Sequence, residues 1–337
     1  MPQHQAGRPT LASIAAAAGV SLPTVSKVVN GKTDVAPATR NRVLALLAEY
    51  DYVPLARKGA EPESPLVDVV FTALDSPWAV EILRGVTESG LEVVVDSLSA
   101  RAGRPSGSDW VQSLIAGGRR GAIVVTSRLT AADQRRLGRS RLPVVVIDPI
   151  DLPGPEVPSV GATNWAGGMA ATEHLVELGH RRIAVIGGPE AFLCSRARID
   201  GYRAALDRAG IPADPQLVRH GNFHHDGGYE RARDLLALSD PPTAVFAGSD
   251  EQAFGVLEAA RQAGLSVPGD LSVVGFDDLP MARWSSPPLT TVRQPLADMG
   301  RMAGRMLLEL INGNDLASQR VELATHLVPR ASTARRT

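Results

Sequence analysis

Three short stretches hold residue types that could do chemistry. Asp277 and Asp278 are adjacent carboxylates, the residue type that acid–base catalysis uses in pairs. His224-His225-Asp226 offers metal-ligating side chains, but adjacent histidines point to different sides, and no Cys or His cluster accompanies them. Ile186-Gly187-Gly188-Pro189 follows an apolar run, as a dinucleotide loop does, yet lacks the Gly-x-Gly-x-x-Gly spacing. No catalytic, metal or cofactor site is therefore expected, and the chain is not expected to be an enzyme.

Positive charge is concentrated in the first 60 residues. The acidic residues there are three, Asp34, Glu49 and Asp51. The basic residues are seven: Arg8, Lys27, Lys32, Arg40, Arg42, Arg57 and Lys58. The formal net charge of the whole chain is −1, so the net charge of this head is about +4 and that of the remainder about −5. A basic module on an acidic body indicates that the head alone meets a polyanion.

The head has the signals of three short helices. Thr10 can cap a first helix, which Gly19 ends, and Ser21 can cap a second, which Gly31 ends. Residues 37–50 carry apolar side chains at helical spacing and predict a third helix. A tight turn at a glycine between the first two helices is typical of a DNA-binding helix pair.

A stretch rich in Gly, Pro, Glu and Ser (58–65) separates the head from a different pattern. From residue 66 onwards, short β-branched runs such as LVDVVF, GAIVV and LSVVGF alternate with amphipathic stretches of 10–16 residues. This alternation predicts parallel sheets covered by helices, and the number of units predicts two doubly wound lobes. Ligands of such folds bind beyond the carboxyl ends of the strands, so two facing lobes would share a cleft.

Composition narrows the class of protein. Hydrophobic residues make up 44% and charged residues 21% of 337 residues, as in an ordinary globular protein of two or three domains. The sequence has no apolar run of about 18 residues, and MPQHQAGRPT does not look like a secretory signal. With Cys194 as the only cysteine, a reducing cytoplasm and no membrane partner are expected.

The run TLASIAAAAGVSLPTVSKVVNGKTDVAPATRNRVLALLAEYDYVP resembles the head of the LacI/GalR family of bacterial transcriptional regulators. The likeness continues in order through Leu178-Gly179-His180, Arg198…Gly201-Tyr202, Val274-Gly275-Phe276-Asp277-Asp278 and Thr290-Thr291-Val292-Arg293-Gln294-Pro295. The resemblance implies an all-α helix-turn-helix DNA-binding head before an α/β core of two doubly wound, periplasmic-binding-protein-like lobes. The expected domains are a head (1–52), a hinge (53–65), a first lobe (66–179 with 293–320) and a second lobe (180–292 with 321–337).

The resemblance also implies which head residues contact DNA. Leu22, Pro23 and Lys27 match base-reading positions on the second helix, whose N-terminal residues would face base edges in the major groove. Lys27 could bond guanine, whereas the other two could read only thymine methyl groups or groove shape. The residues that match phosphate-gripping positions are Thr24, Ser26, Asn30, Thr39 and Arg40.

The hinge departs from the family pattern, because residues 53–59 are shorter and lack the usual Asn. Leu55 could wedge between base steps with Arg57 at the narrowed groove, or the segment could be only a tether. A second departure from the family pattern is the stretch 85–91. There, the helix after the first core strand is expected to be several residues shorter than is usual in the family. This could reduce the surface through which two copies pair.

By resemblance, nine residues from loops in both lobes line the cleft: Asp75, Trp78, Asn164, Trp165, Arg198, Phe223, Ser249, Asp277 and Gln294. Amide, carboxylate and guanidinium groups beside flat aromatic faces suit a sugar, either a mono- or an oligosaccharide. Two alternatives stay open: the tryptophans could be packing residues, and Arg198 with Asp277 could be an interlobe ion pair. Ser249 stands where Asn or Asp is expected.

Three function classes fit the core fold, which alone does not decide among them. An exported sugar-binding protein would need a signal sequence or lipidated cysteine, and an enzyme would need a phosphate loop or acid–base pair. The helix-turn-helix favours the third class. We therefore expect a cytoplasmic homodimeric repressor that binds a pseudo-palindromic operator and is controlled by a small effector.

Overall fold

The computed structural model describes residues 10–29, 34–50, 52, 66–98, 110–126, 130–140 and 142–336. The helices in those ranges are α1 (Leu11–Ala18), α2 (Leu22–Val29), α3 (Pro37–Glu49), α4 (Pro77–Thr87), α5 (Trp110–Ala116), α6 (Ala131–Ser140), α7 (Asn164–Glu177), α8 (Leu193–Arg208), α9 (His225–Leu236), α10 (Asp250–Gln262) and α11 (Leu296–Ile311). The strands are β1 (Val67–Phe71), β2 (Val93–Ser97), β3 (Ala122–Val125), β4 (Val144–Ile147), β5 (Ser159–Ala162), β6 (Ile183–Gly187), β7 (Val218–His220), β8 (Ala244–Ala247), β9 (Ser272–Asp277), β10 (Thr290–Arg293), β11 (Arg320–Leu323) and β12 (His326–Val328).

The head is a three-helix unit built on local signals. The Thr10 side chain accepts a hydrogen bond from the Ser13 amide at 3.2 Å, and the Ser13 hydroxyl accepts one from the Thr10 amide at 3.0 Å. This reciprocal cap starts α1, and Gly19 ends it with a left-handed φ of 63°. The chain then bends by 108° into α2, whose Ser21 hydroxyl accepts from the Thr24 amide. A small apolar core joins the helices: Ile14, Ala15, Ala18, Val25, Val28, Val43 and Leu47.

The first lobe is a six-stranded sheet in the order β11-β5-β4-β3-β1-β2, and its neighbouring strands all run parallel. Helices α4 and α11 cover one face of this sheet, where Ile82, Val86 and Met299 are fully buried. On the other face, Val111 and Leu114 of α5 and Leu137 of α6 pack against the sheet. The sheet is therefore doubly wound, as the sequence predicted.

The second lobe repeats this plan in the order β12-β10-β9-β8-β6-β7, with only β12 antiparallel to its neighbour among the described strands. Helices α7 and α8 cover one face, and α9 and α10 cover the other. The predicted fold class is thus confirmed: a helix-turn-helix head precedes two doubly wound lobes.

The structure moves two of the expected lobe boundaries. Helix α7, expected in a first lobe ending at 179, buries Ala171 and Leu175 against the second lobe's sheet. Strand β11, whose residues 321–323 were expected in the second lobe, pairs instead with β5 of the first. We assign each helix and strand to the lobe whose sheet it pairs with or packs against. The chain therefore crosses between the lobes near Thr163, Gln294 and Ala324.

Within the described part of the chain, no single helix is long and apolar enough to cross a membrane; the bent pair of α1 and α2 passes that test by length and composition only.

Candidate functional site

One face of α2 is turned to solvent. Leu22, Pro23 and Lys27 are exposed, and Leu22 keeps 48% of its surface accessible. Val25 and Val28 of the same helix are buried in the head core. The helical spacing therefore separates an apolar packing face of α2 from an exposed face that could enter a DNA groove.

Polar side chains flank this face. The Lys27 ammonium contacts the Asp34 carboxylate at 2.6 Å, and both side chains are more than half exposed. Thr24 and Ser26 lie on α2, and Thr39 and Arg40 lie in the first turn of α3. An exposed ion pair of this kind stabilises little, so it can be exchanged for a phosphate or base contact. The other predicted DNA contacts, Asn30, Leu55 and Arg57, lie outside the described residues.

Between the lobes lies a cavity of about 230 Å³. Its lining comes from the carboxyl ends of strands in both sheets, as expected for doubly wound lobes that face each other. The lining residues are Phe71, Thr72, Ala73, Ser76, Trp78, Ala79, Val125, Thr126, Asp148, Pro189, Phe192, Cys194, Arg198, Asn222, Phe223, His224, Ser249, Glu251 and Asp277.

Arg198 is the hub of this cavity and is only 4% exposed. Its Nε donates to Asn164 Oδ1 at 2.8 Å, and its Nη2 donates to Gln294 Oε1 at 3.2 Å. Its Nη1 donates to the Gly248 carbonyl, and its guanidinium carbon lies 3.7 Å from the centre of the Phe276 ring. Arg198 is thus fixed by side chains from two of the three crossings between the lobes, Asn164 and Gln294.

Two close-packed glycines position this hub. A Cβ at Gly168 would lie 2.2 Å from the Arg198 carbonyl oxygen, and one at Gly201 would lie 2.1 Å from the Trp165 carbonyl oxygen. Helices α7 and α8 therefore cross backbone to backbone. This crossing brings Asn164, at the start of α7, to the guanidinium carried by α8.

The adjacent aspartates have different roles. Asp277 Oδ1 is buried, lies 4.0 Å from Arg198 Nη1, and has no hydrogen-bond partner among the described residues. Asp278 is held by Arg293 Nε at 2.6 Å and by Arg330 within the second lobe. Asp277 therefore offers an open acceptor to a ligand, whereas Asp278 anchors structure.

Aromatic rings form another part of the lining. The Phe223 ring lies 5.5 Å from the Arg198 guanidinium and 6.3 Å from the Phe192 ring. A Cβ at Gly188 would lie 2.1 Å from the Phe223 ring, so only glycine leaves room for it. Trp78, near the start of α4, is half-buried and lies on the first-lobe side. Flat apolar faces thus stand beside buried polar groups, which suits the C–H faces of a sugar.

Backbone strain is concentrated at the cleft. In the described residues, the non-glycine residues with positive φ all lie at or shortly after the carboxyl end of a strand: Thr126, Asp148, Phe223, Asp277 and Asp278. Each such residue costs on the order of 1–3 kcal/mol and persists only where its surroundings hold it, which is typical of ligand sites.

The remaining predicted cleft residues are placed differently. Asn164 and Gln294 do not line the cavity but hold Arg198 from behind. Ser249 lines the cavity, but its hydroxyl donates to the Phe223 carbonyl at 2.6 Å and accepts from the Gln252 amide. Asp75 is exposed and Trp165 is 48% exposed, and neither is among the cavity-lining residues.

Other lining residues were not picked out from the sequence. Asp148 directly follows the apolar strand β4, so the strand-end rule alone could have found it. Ser76 caps α4 and donates across the cleft to Glu251, whose other oxygen lies 3.3 Å from His224 Nδ1. Glu251 had a weaker signal, a carboxylate in the first turn of a helix that follows a strand.

Burial dominates the electrostatics of the cleft. It raises the pKa of Asp277 well above its usual range, although Arg198 opposes the shift. Burial likewise raises the pKa of Asp148 against the same guanidinium, and it is the main reason that the pKa of Asp250 is about 7. The pKa of the Cys194 thiol is also raised by burial, so the thiol stays protonated. The site favours neutral hydrogen-bonding groups over bare charges.

Comparison with known families agrees with this anatomy. Residues 10–54 match the bacterial regulatory proteins of the lacI family, and residues 172–333 match the periplasmic binding protein-like domain. The regulator CelR of Thermobifida fusca is 34% identical over 96% of this chain and 98% of its own. The repressor CytR of Escherichia coli strain K12 is 33% identical over 96% of each chain.

Solved structures are similar over nearly the whole chain. The complex of CelR with cellobiose has a TM-score of 0.74 and 35% identity, and covers 96% of this chain and 100% of that one. The lac repressor dimer bound to operator and the anti-inducer ONPF has a TM-score of 0.69 and 29% identity, covering 97% and 100%. Relatives of this identity and coverage, together with the head match, show that the chain belongs to the lacI family of bacterial regulatory proteins.

Proposed function

We propose that the chain is a sequence-specific DNA-binding transcription regulator, acting as a repressor, whose operator affinity is controlled by a sugar in the interlobe cavity. The observation that carries this function is the combination of two sites in one chain. An exposed face of α2 stands on a helix-turn-helix head, and a buried polar cavity lies between two lobes. A ligand that favours one arrangement of the lobes can shift DNA affinity, typically by about 1–3 kcal/mol.

The proposed base readers are Leu22 and Pro23, exposed in the first turn of α2, and Lys27, exposed one turn after Pro23. Lys27 is the hydrogen-bonding member of this set and can donate to guanine O6 or N7. Outside the described residues, Leu55 and Arg57 are the proposed hinge contacts. The proposed phosphate contacts are Thr24, Ser26, Asn30, Thr39 and Arg40.

A homodimer follows from the small size of the reading face. One head offers few base contacts, so two heads on a pseudo-palindrome would supply the specificity that one lacks. The lac repressor, similar over 97% of this chain, is a dimer in its complex with operator. A regulator of this kind acts where the genome is, so we place it in the cytoplasm.

The proposed effector is a sugar, bound without chemical change. Asp277 offers an unpartnered acceptor, Arg198 a fixed guanidinium, and Phe223 and Trp78 flat faces. The similar protein CelR has been solved with cellobiose. A binding role, not a catalytic one, suits the cleft because Asp278, the second carboxylate of the apparent pair, is occupied by two arginines.

The DNA-reading part is tested on a duplex selected by the full-length protein from a random library. Lys27→Ala should lower affinity for that duplex by about 1–3 kcal/mol and relax preference at one base pair per half-site. Arg40→Ala is the matched control, since losing a phosphate contact weakens all sequences alike and flattens the salt dependence. Equal losses for Lys27→Ala on selected and random duplexes would remove Lys27 from the base readers.

The effector part is tested by melting the full-length protein with cellobiose, maltose or ribose. A sugar that binds the folded state raises the melting temperature, and Arg198→Lys should abolish that rise because a point charge cannot bridge Asn164 and Gln294. Arg203→Lys on the exposed side of the same helix should keep the rise. A sugar response that persists in Arg198→Lys would contradict the assignment of this cavity.

A further inference from the structure

Arginine is concentrated in one segment of the first lobe. Residues 99–142 contain nine arginines, no lysine and two aspartates, a net charge of +7 in a chain whose total is −1. Five of these arginines fall among the described residues and are here called the arginine edge: Arg119, Arg120, Arg135, Arg136 and Arg139. Such a concentration is a footprint for a polyanion.

The arginine edge lies beside the point where the chain from the head enters the core. The Arg120 amide donates to the carbonyl of Leu66, the residue just before β1, at 3.1 Å. Because β1, β3 and β4 are parallel, the residues that precede them share the amino-terminal edge of the sheet, opposite the cleft. Arg139, in the last turn of α6, leads towards β4 at this edge.

Acidic residues near the arginine edge offset part of its positive charge. Asp68 is 8% exposed and contacts Arg119 at 3.3 Å, so its carboxylate neutralises the charge of that arginine. Asp133 caps the far end of α6 through the Thr130 amide and hydroxyl. Glu92 and Glu156 precede β2 and β5 and therefore flank the entries of β3 and β4.

The matching edge of the second lobe also carries arginines. Arg182 lies just before β6 and contacts Asp214 at 3.0 Å and Asp240 at 3.1 Å. Arg181 beside it is exposed, and so is Arg336, whose amide donates to the Leu178 carbonyl. No segment from the head enters this lobe there, so the attachment of the head is what distinguishes the arginine edge.

We propose that the arginine edge contacts the phosphate backbone of the same DNA duplex that the head binds. This inference rests on the proposed DNA-binding function. Fourteen residue steps separate Tyr52 from Leu66, so the connection spans at most about 50 Å and keeps the edge near a duplex held by the head. Arginines on phosphates add affinity without reading sequence, and each contact releases counterions.

The test uses the full-length protein and a random-sequence duplex of about 40 base pairs, because sequence-independent affinity is electrostatic. The variant is Arg120→Gln/Arg135→Gln/Arg139→Gln, which leaves Arg119 in place to neutralise Asp68. At about 0.1 M salt we expect affinity to fall about tenfold, and the slope of log affinity against log salt to become less steep by about two.

The matched control removes the same charge from the second lobe, as Arg203→Gln/Arg208→Gln/Arg261→Gln. These arginines are exposed on the second lobe, which the segment from the head does not enter, so affinity should stay within about twofold of the unmodified protein. Replacement of the edge arginines by lysine should retain binding, which separates loss of charge from loss of folding. Equal losses in edge and control variants would overturn the proposal.

A further comparison separates this inference from the proposed function. If Arg40→Ala weakens binding while the edge variant matches its control, the head binds DNA and the arginine edge does not. If the unmodified protein binds neither random nor selected duplexes, the proposed function itself fails, and this inference fails with it.

Discussion

The reading face of the head and the interlobe cavity are built in opposite ways. Leu22 and Lys27 are about half exposed and lie on one short helix, so each can act nearly independently of the others. The cavity depends on Arg198, which is 4% exposed and tied to Asn164 and Gln294 from distant parts of the chain. The effects of substitutions in the head should therefore be small and additive, whereas the effects of substitutions in the cavity should be large and should depend on one another.

The largest loss of stability is expected from the replacement of Arg198, the side chain that joins the polar groups of the cavity. Arg198→Ala would leave Asp277 buried without its cation and three hydrogen-bond partners unmet. Each buried acceptor left unmet costs about 1–3 kcal/mol, so urea unfolding at neutral pH should show a loss of about 3 kcal/mol or more. Arg203→Ala on the same helix, where an exposed pair with Asp200 is lost, should cost less than about 1 kcal/mol. Similar losses in both would contradict the coupled cavity.

A second effect concerns pH. Burial raises the pKa of Asp250 to about 7, well above the usual value near 3.8, so the folded protein favours the neutral carboxyl. Its contribution to stability is complete below about pH 4, falls as pH rises and is fully lost above about pH 7, on the order of 4 kcal/mol. The urea midpoint of the unmodified protein should fall between pH 4 and pH 7.5, a window that spans the usual and the raised pKa. Asp250→Asn should make this fall smaller.

Asp270 provides the control for that pH effect. Hydrogen bonds from Ser266 lower the pKa of Asp270, so its contribution is present above the usual carboxyl value and is lost only as pH falls below it. Asp270→Asn should leave the slope above about pH 4 unchanged. If Asp250→Asn follows the unmodified protein across the same window, burial of Asp250 does not drive the pH dependence.

A third effect separates close packing from open surface. Gly201→Ala would put a Cβ 2.1 Å from the Trp165 carbonyl oxygen and force α7 and α8 apart. Overpacking of this kind costs about 1–3 kcal/mol, measured by thermal or urea unfolding. Gly138 of α6 has nothing within 4 Å of its Cβ position, so Gly138→Ala should stabilise by about 0.5–1 kcal/mol. A stabilising Gly201→Ala would mean that the crossing can relax.

The same contrast explains what could be predicted from the sequence. The caps at Thr10 and Ser21 and the turn at Gly19 are local, so pattern reading found them. Asp277 could be found because it ends an apolar strand. Trp165 could not be excluded from the lining, because its place depends on α7 packing with the second lobe. The Ser76–Glu251 contact joins residues 175 positions apart and has no sequence signal.

The smallest effect should be the loss of a local cap in the head. In Thr10→Ala, the Ser13 amide loses its acceptor at 3.2 Å, while the reciprocal bond from the Thr10 amide to Ser13 is kept. The cost should be about 1 kcal/mol and confined to the head. Thr10→Ser is the matched control, since serine keeps the acceptor. Because α1 supports α2 through Ile14 and Ala18, hydrogen exchange should quicken in both helices while the amides of the two lobes are unchanged. Quickened exchange around Arg198 would instead show that the head and the cavity are coupled through the folded core.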